Sequence, residues 1–400
     1  MPSQILHTLF GEDVIAEIYS RIRTRFGIVA EKALEKITRE YRTAFALGCQ
    51  GPDIFYHNQR TRPVALEYGT LLHRRGCGMF TAVLLKMGLP DPPPDEEDIR
   101  LHRREKGINA LGAYALGFMT HAVLDRFCHP YIVYKSVTLP PPKGRGERVA
   151  APVLAAGPES SSLPPGSLGR HAHPFFERII DALMLALLRG RAVSSWDQEA
   201  VLADICDRPP LGLKELLARS LQASFPERAG NDPKLALRMD NTFADAAHFY
   251  RATAPANTSL RFCGGPSGPP HAGERWDRRD LIYVYPEAIP LDIDYLNLRR
   301  SPWFYPAGEE REDRRSFPEI YAQALKAAAD SLSVFIIRYL EEGFFPIKEA
   351  AQSIGNSGLS VQDENGKPCA VTRTGPLPLD KVLEWRILFH HDAVPPNGGA

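Results

Sequence analysis

Apolar side chains recur along this chain at helical rather than strand spacing. Between residues 12 and 47, Val14, Ile15, Ile18 and Ile22, then Val29, Ala33, Leu34 and Ile37, stand near 3.6 residues apart, which buries one face of successive helices. Leu66, Leu71, Leu72, Phe80, Val83 and Leu84 repeat the pattern over 64–88, until Pro90 and the prolines of 92–94 stop it. A third helix is predicted from about Ile108 to Cys128. Its Ala110, Gly112, Ala113, Ala115 and Gly117 permit close approach by a neighbour, at a cost of about 1 kcal/mol for each interior glycine. Helical periodicity returns over 174–190, 197–205, 211–222, 233–252 and 317–342, whereas only 281–285 and 359–371 look strand-like.

Between these runs, 139–169 is too rich in proline, glycine and serine for a regular element and is expected to be an inserted, mobile loop; 253–275 is a second connector. The pattern predicts an all-α protein: a multi-helix domain over 1–350 and an irregular C-terminal tail over 351–400, with no internal repeat.

Composition narrows the class. A chain of 400 residues, 44% hydrophobic, buries a substantial core, which excludes disorder of the whole. With 48 basic and 48 acidic side chains the net charge is zero, so there is no strong nucleic-acid signal. The longest nearly uninterrupted apolar stretch, 179–188, includes Asp181 and falls well short of the roughly 20 residues that span a bilayer, so no transmembrane segment is expected. The first residues lack the basic and apolar pattern of a secretory signal, and the six cysteines are scattered without C-x-x-C pairs. Reduced thiols and a cytoplasmic location are the expectation.

The strongest chemical signal is His121-x3-Asp125-x3-His129, on one face of a predicted helix. Side chains four apart are neighbours, roughly 5–6 Å between Cβ atoms, so His121 and Asp125, or Asp125 and His129, can grip one cation. Eight residues of helix span roughly 12 Å, too far for both histidines to share one ion, so three ligands here imply at least two ions. His173-x3-Glu177 supplies a second such pair, with His171 as a competitor that would need a non-helical approach. Upstream, the Gly51-Pro52-Asp53 turn offers a carboxylate, His73 sits inside a helix, and His7 precedes the first long helix. Any one of these histidines alone reads as ordinary surface or core.

Taken in order, His7, Asp53, His73, His121, Asp125, His129, His173 and Glu177 resemble the ligand series of bacterial zinc-dependent phospholipase C, whose all-helical fold is shared with single-strand nucleases. The phrase from Asp294 to Trp303 is similar to a segment farther along those proteins. The resemblance implies a buried di- or trinuclear centre of two to three Zn2+ ions. Asp53, His73, His121 and Asp125 would hold one, His129, His173 and Glu177 a second, and Asp125 with His7 a third. It further implies a phosphodiester hydrolase acting on phospholipid, with possible peripheral membrane contact, and Asp53 as general base or bridging ligand. A nuclease or other phosphodiesterase, and a non-catalytic metal domain, are the alternatives. Phe55 and Tyr56 stand beside Asp53 as pocket or packing residues, and the loop 139–169, joining two ligand runs, is placed to act as a rim or as a passive insertion. The mixed-charge runs after Arg275 and Gly308 read as solvated surface, the aromatics at 303–305 as core packing, and His390 and His391 match no ligand spacing.

Overall fold

A computed structural model describes residues 4–26, 32, 34–90, 108–139, 171–254, 283–286, 289–307, 312–342, 346–363, 365–379 and 382. Most of the loop expected at 139–169, most of the 253–275 connector and the chain beyond 382 lie outside the described residues.

Helices dominate. In chain order they are α1 (Gln4–Phe26), α2 (Arg42–Cys49), α3 (Leu66–Arg74), α4 (Cys77–Gly88), α5 (Ala110–Ser136), α6 (Ala172–Arg189), α7 (Gln198–Asp207), α8 (Leu213–Ser224), α9 (Leu235–Thr253), α10 (Phe317–Glu342) and α11 (Ile347–Ile354). A π turn over Lys36–Glu40 precedes α2, and a 3-10 helix, Gly51–His57, follows it. Among the described residues the strands are two short segments, β1 (Trp303–Phe304) and β2 (Glu312–Asp313), paired antiparallel.

α5 is the axis of the bundle. Asn109 caps it by accepting from the Gly112 amide at 2.7 Å, and nearly every residue from Gly112 to Asp125 is buried. The helix was expected to end near Cys128 but continues to Ser136 with Pro130 inside it. An interior proline costs about 3 kcal/mol; burying Tyr131, Ile132, Val133 and Tyr134 offsets that, since each such side chain gains about 1.5–3 kcal/mol. α2 crosses α5 with their backbones in close approach: a Cβ at Gly48 would overlap the Tyr114 carbonyl, and one at Gly117 the Phe45 carbonyl. Glycine at both positions lets two backbones touch.

α10 lies against α1 and α5. Its 317–339 portion is long and apolar enough by length and composition to cross a membrane, but Phe317, Ile320, Ala324, Ala328 and Leu332 pack into the core while Asp330 pairs with Arg21 of α1. That division between faces is the pattern of a core helix in an all-α domain.

The two strand-like stretches do not form strands. Tyr283 and Val284 lie in a turn, with 281 and 282 outside the described residues, and within 359–371 only an isolated bridge joins Gln362 to Pro368. A lone extended segment in a helical bundle has no sheet edge to pair with. A boundary at 350 falls inside α11, which packs on α4, and the chain after it runs back over α5: Gly375 and Leu377 donate to the carbonyls of Tyr134 and Lys135, both at 2.8 Å. Trp303 is buried edge-on against Tyr131, with ring centroids 5.4 Å apart.

Candidate metal centre

α5 carries His121, Asp125 and His129 down one face, and three other elements bring the remaining side chains to it. His7 comes from the first turn of α1; the expectation that it precedes the first helix is corrected, because α1 begins at Gln4. Asp53 comes from the 3-10 helix. Gly51, with φ of +52°, starts that helix against the His121 ring, where any Cβ would collide. His73 lies in the last turn of α3, and His173 and Glu177 in the first turns of α6.

The eight residues fall into three groups: His7, His121 and Asp125; Asp53, His73 and His121; and His129, His173 and Glu177. Within each, the candidate ligand atoms lie within 4.8 Å of one another. His121 and His129 stand in different groups, as helix geometry requires. His121 belongs to both groups at its end of α5, whereas the resemblance gave it to one ion.

The distances suit zinc. Four atoms tetrahedrally placed at 2.0–2.1 Å from an ion stand roughly 3.3 Å apart. Asp125 Oδ1 is 3.2 Å from His7 Nε2, and its Oδ2 is 3.1 Å from His121 Nε2 and 3.6 Å from His73 Nε2. His73 Nε2 is 3.1 Å from Asp53 Oδ1. In the third group, Glu177 Oε1 lies 3.4 Å from His129 Nε2 and 3.2 Å from His173 Nε2. His171, at the N-cap of α6, joins none of the groups found among the described residues.

Backbone carbonyls set the histidine tautomers. His73 Nδ1 donates to the Gly69 carbonyl at 2.8 Å, His121 Nδ1 to Cys49 at 3.2 Å, and His129 Nδ1 to Leu359 at 2.9 Å; His173 Nδ1 lies 3.5 Å from the Ser136 hydroxyl. With Nδ1 donating to a carbonyl, Nε2 is the nitrogen turned toward the carboxylates. Accordingly Nε2 of His73, Nε2 of His121 and Oδ2 of Asp125 are buried and close together, yet form no aligned hydrogen bond among the described residues. Buried polar atoms left without an aligned partner are costly, and a cation held between them would satisfy them.

Electrostatics separate the ligands by charge state. Burial pushes the Asp53 and Asp125 carboxyls up, but the surrounding positive charge, His121 and its neighbours included, outweighs it and holds both well below the usual carboxylate range. Burial, aided by the charge of His121, lowers His7 to about 4, which leaves its imidazole neutral and able to ligate near pH 7. The same carboxylates outweigh burial at His73 and His129 and raise both above the ordinary histidine value, so a zinc ion entering there would displace protons from them. Anionic carboxylates and deprotonated imidazoles are the donor set that zinc takes.

Sequence reasoning missed the Gly69, Cys49 and Leu359 carbonyls, which orient the ligands. Backbone acceptors carry no residue-type signal, although the Gly-rich spacing of α5 marks where α2 could approach. Tyr56, half-buried, has its ring centroid 5.1 Å from that of His73, while Phe55 is wholly buried and serves the core.

A family description, zinc dependent phospholipase C, matches residues 7–186, a span that opens on His7 and closes just past Glu177. No curated protein and no solved structure matches the chain.

Proposed function

Proceeding from residues 7–186, which belong to the zinc-dependent phospholipase C family, we propose that this protein is a phosphodiester hydrolase that cleaves phospholipid at a centre of two to three zinc ions. The observation that carries the reading is the Asp125 carboxylate, buried on the central helix with a different histidine Nε2 opposite each oxygen. His7, His121 and Asp125 would hold one ion, Asp53, His73 and His121 a second, and His129, His173 and Glu177 another.

Zinc held there would supply Lewis acidity toward the phosphoryl oxygens and toward the attacking water. The chain's own side chains do the rest. Asp53, kept anionic beside His73, is placed to accept a proton from the water and orient it in line with the scissile bond. The tethered imidazoles keep the ligand geometry rigid, so little reorganisation accompanies the reaction. His173, the most exposed of the eight, marks the side from which a headgroup would enter. Such a substrate would bring the protein to a membrane surface as a peripheral visitor.

The test is a paired assay of the zinc-loaded protein on short-chain phosphatidylcholine and on single-stranded DNA, each with a chelator control. Chelator-sensitive release of phosphocholine is expected. Hydrolysis of DNA but not lipid would replace the substrate with a nucleic acid, and no hydrolysis of either would leave a metal domain without this activity.

A further inference from the structure

The candidate ligands are not all held in the same way. His73, His121 and His129 are each fixed by a ring N–H on a backbone carbonyl. Among the described residues, Nδ1 of His7 has no hydrogen-bond partner. Its ring stacks on His121, centroids 4.0 Å apart, and faces Asp125 Oδ1. The placement of His7 is therefore inherited from the backbone of α1, and His7 lies in the opening turns of that helix, where amides have no partner inside the helix and the chain frays most readily.

That opening turn is clamped by Asp181. Its Oδ1 accepts from the Leu6 amide at 2.9 Å and its Oδ2 from the Ile5 amide at 3.2 Å. The Tyr285 hydroxyl donates to Oδ2 at 3.0 Å. Gln4 is gripped alongside: its side-chain oxygen accepts from Arg178 Nη1 at 2.9 Å and its carbonyl from Gln50 Nε2 at 3.3 Å. Asp181 is fully buried in the apolar middle of α6, where an uncompensated carboxylate would be expensive. The compensation is the N-terminus of α1, whose amides and positive dipole end meet the negative charge. On α6, Asp181 stands one turn beyond Glu177 and on the same face.

Resting on the metal reading above, we propose that Asp181 is a positioning residue for the zinc centre: by clamping the Ile5 and Leu6 amides it holds the adjacent His7 against Asp125 and so completes that group. α6 then serves two groups, one directly through Glu177 and one at a distance through Asp181. Asp181 stands in none of the three groups of candidate ligands found among the described residues.

Cadmium-113 NMR of the cadmium-loaded full chain gives one resonance per occupied site, and the resonance lost in His7→Ala identifies the His7 site. Asp181→Ala is expected to remove or broaden that resonance, with at least a tenfold weaker affinity there, and to leave those of the other two groups in place. Asp181→Asn, which keeps one acceptor oxygen, should give an intermediate effect, and it decides the matter if the alanine variant does not fold. In metal-free protein, exchange of the Ile5 and Leu6 amides should quicken at least tenfold while that of the α10 amides does not change. An unchanged His7 resonance in a folded variant would overturn the assignment alone, and so would simultaneous loss of all resonances, which marks a merely structural role. A wild-type protein that takes up no cadmium would overturn the metal reading and the assignment with it.

Discussion

Leu359 stands 230 residues beyond His129, yet its carbonyl accepts the His129 Nδ1 hydrogen at 2.9 Å, while its own amide donates to the His73 carbonyl at 2.8 Å. One residue of the C-terminal segment thus bridges two ligand-bearing helices. The contact is supported on both sides: Arg126 of α5 donates to the carbonyls of Ile354 and Gly355, and Asn356 accepts from the amides of Gly76 and Met79. The segment lies outside the part of the chain that matches the zinc-dependent phospholipase C family, but it is built into the support of the centre.

Two substitutions at this position separate packing from orientation. Leu359→Ala keeps both backbone bonds and loses a buried side chain, so stability should fall by about 2–5 kcal/mol with zinc affinity nearly unchanged. Leu359→Pro removes the amide that bonds His73 and disturbs the carbonyl on His129, so affinity should fall about 10–100-fold, the usual cost of losing a partner that orients a ligand. Zinc titration beside urea unfolding reads both. Equal affinity in the two variants would refute a role in orientation.

Asp125 faces four histidines drawn from all three groups, whereas Glu177 faces two of a single group. Asp125→Asn should therefore release more zinc than Glu177→Gln and lower kcat on a soluble phosphodiester by more than about 100-fold, beyond the range of partners that only orient ligands. Metal counting with steady-state kinetics checks the order; the reverse order would mean that the groups do not share this carboxylate.

Glu199 gives a pH signature away from the ligands. Burial raises its pKa to about 7 against the pull of Arg178, whereas in the unfolded chain it returns to the usual range near 4.5. Between those values the folded state binds a proton that the unfolded state does not, so this contribution to stability is present below pH 4.5 and lost as pH rises through 7. The size of the shift corresponds to roughly 3 kcal/mol. Glu199→Gln should remove the slope, making the variant more stable than wild type at pH 8 in metal-free urea denaturation. Parallel pH profiles for the two proteins would show that the group does not titrate as described.

Much of the architecture was legible because helices announce themselves locally. The pairs His121/Asp125, Asp125/His129 and His173/Glu177 could be read from spacing alone, since four residues make one helical turn. His7, Asp53 and His73 could be attached to them only through resemblance, because what joins them is the crossing of α1, α2, α3 and α5. The continuation of α5 through Pro130 was hidden by a local rule that tertiary burial overrides. Asp181 interrupted an apolar run and counted in the sequence only against a membrane span; its partners are amides 175 and 176 residues away, and no pattern of residue types records them.

The account rests on a zinc centre, and elemental analysis of the full chain, expressed with zinc supplementation and stripped of loosely held metal, tests it most directly. Two to three equivalents of zinc per chain are expected, falling together with phosphodiester hydrolysis when a chelator is added. Less than one equivalent of any transition metal, or full activity after its removal, would contradict it.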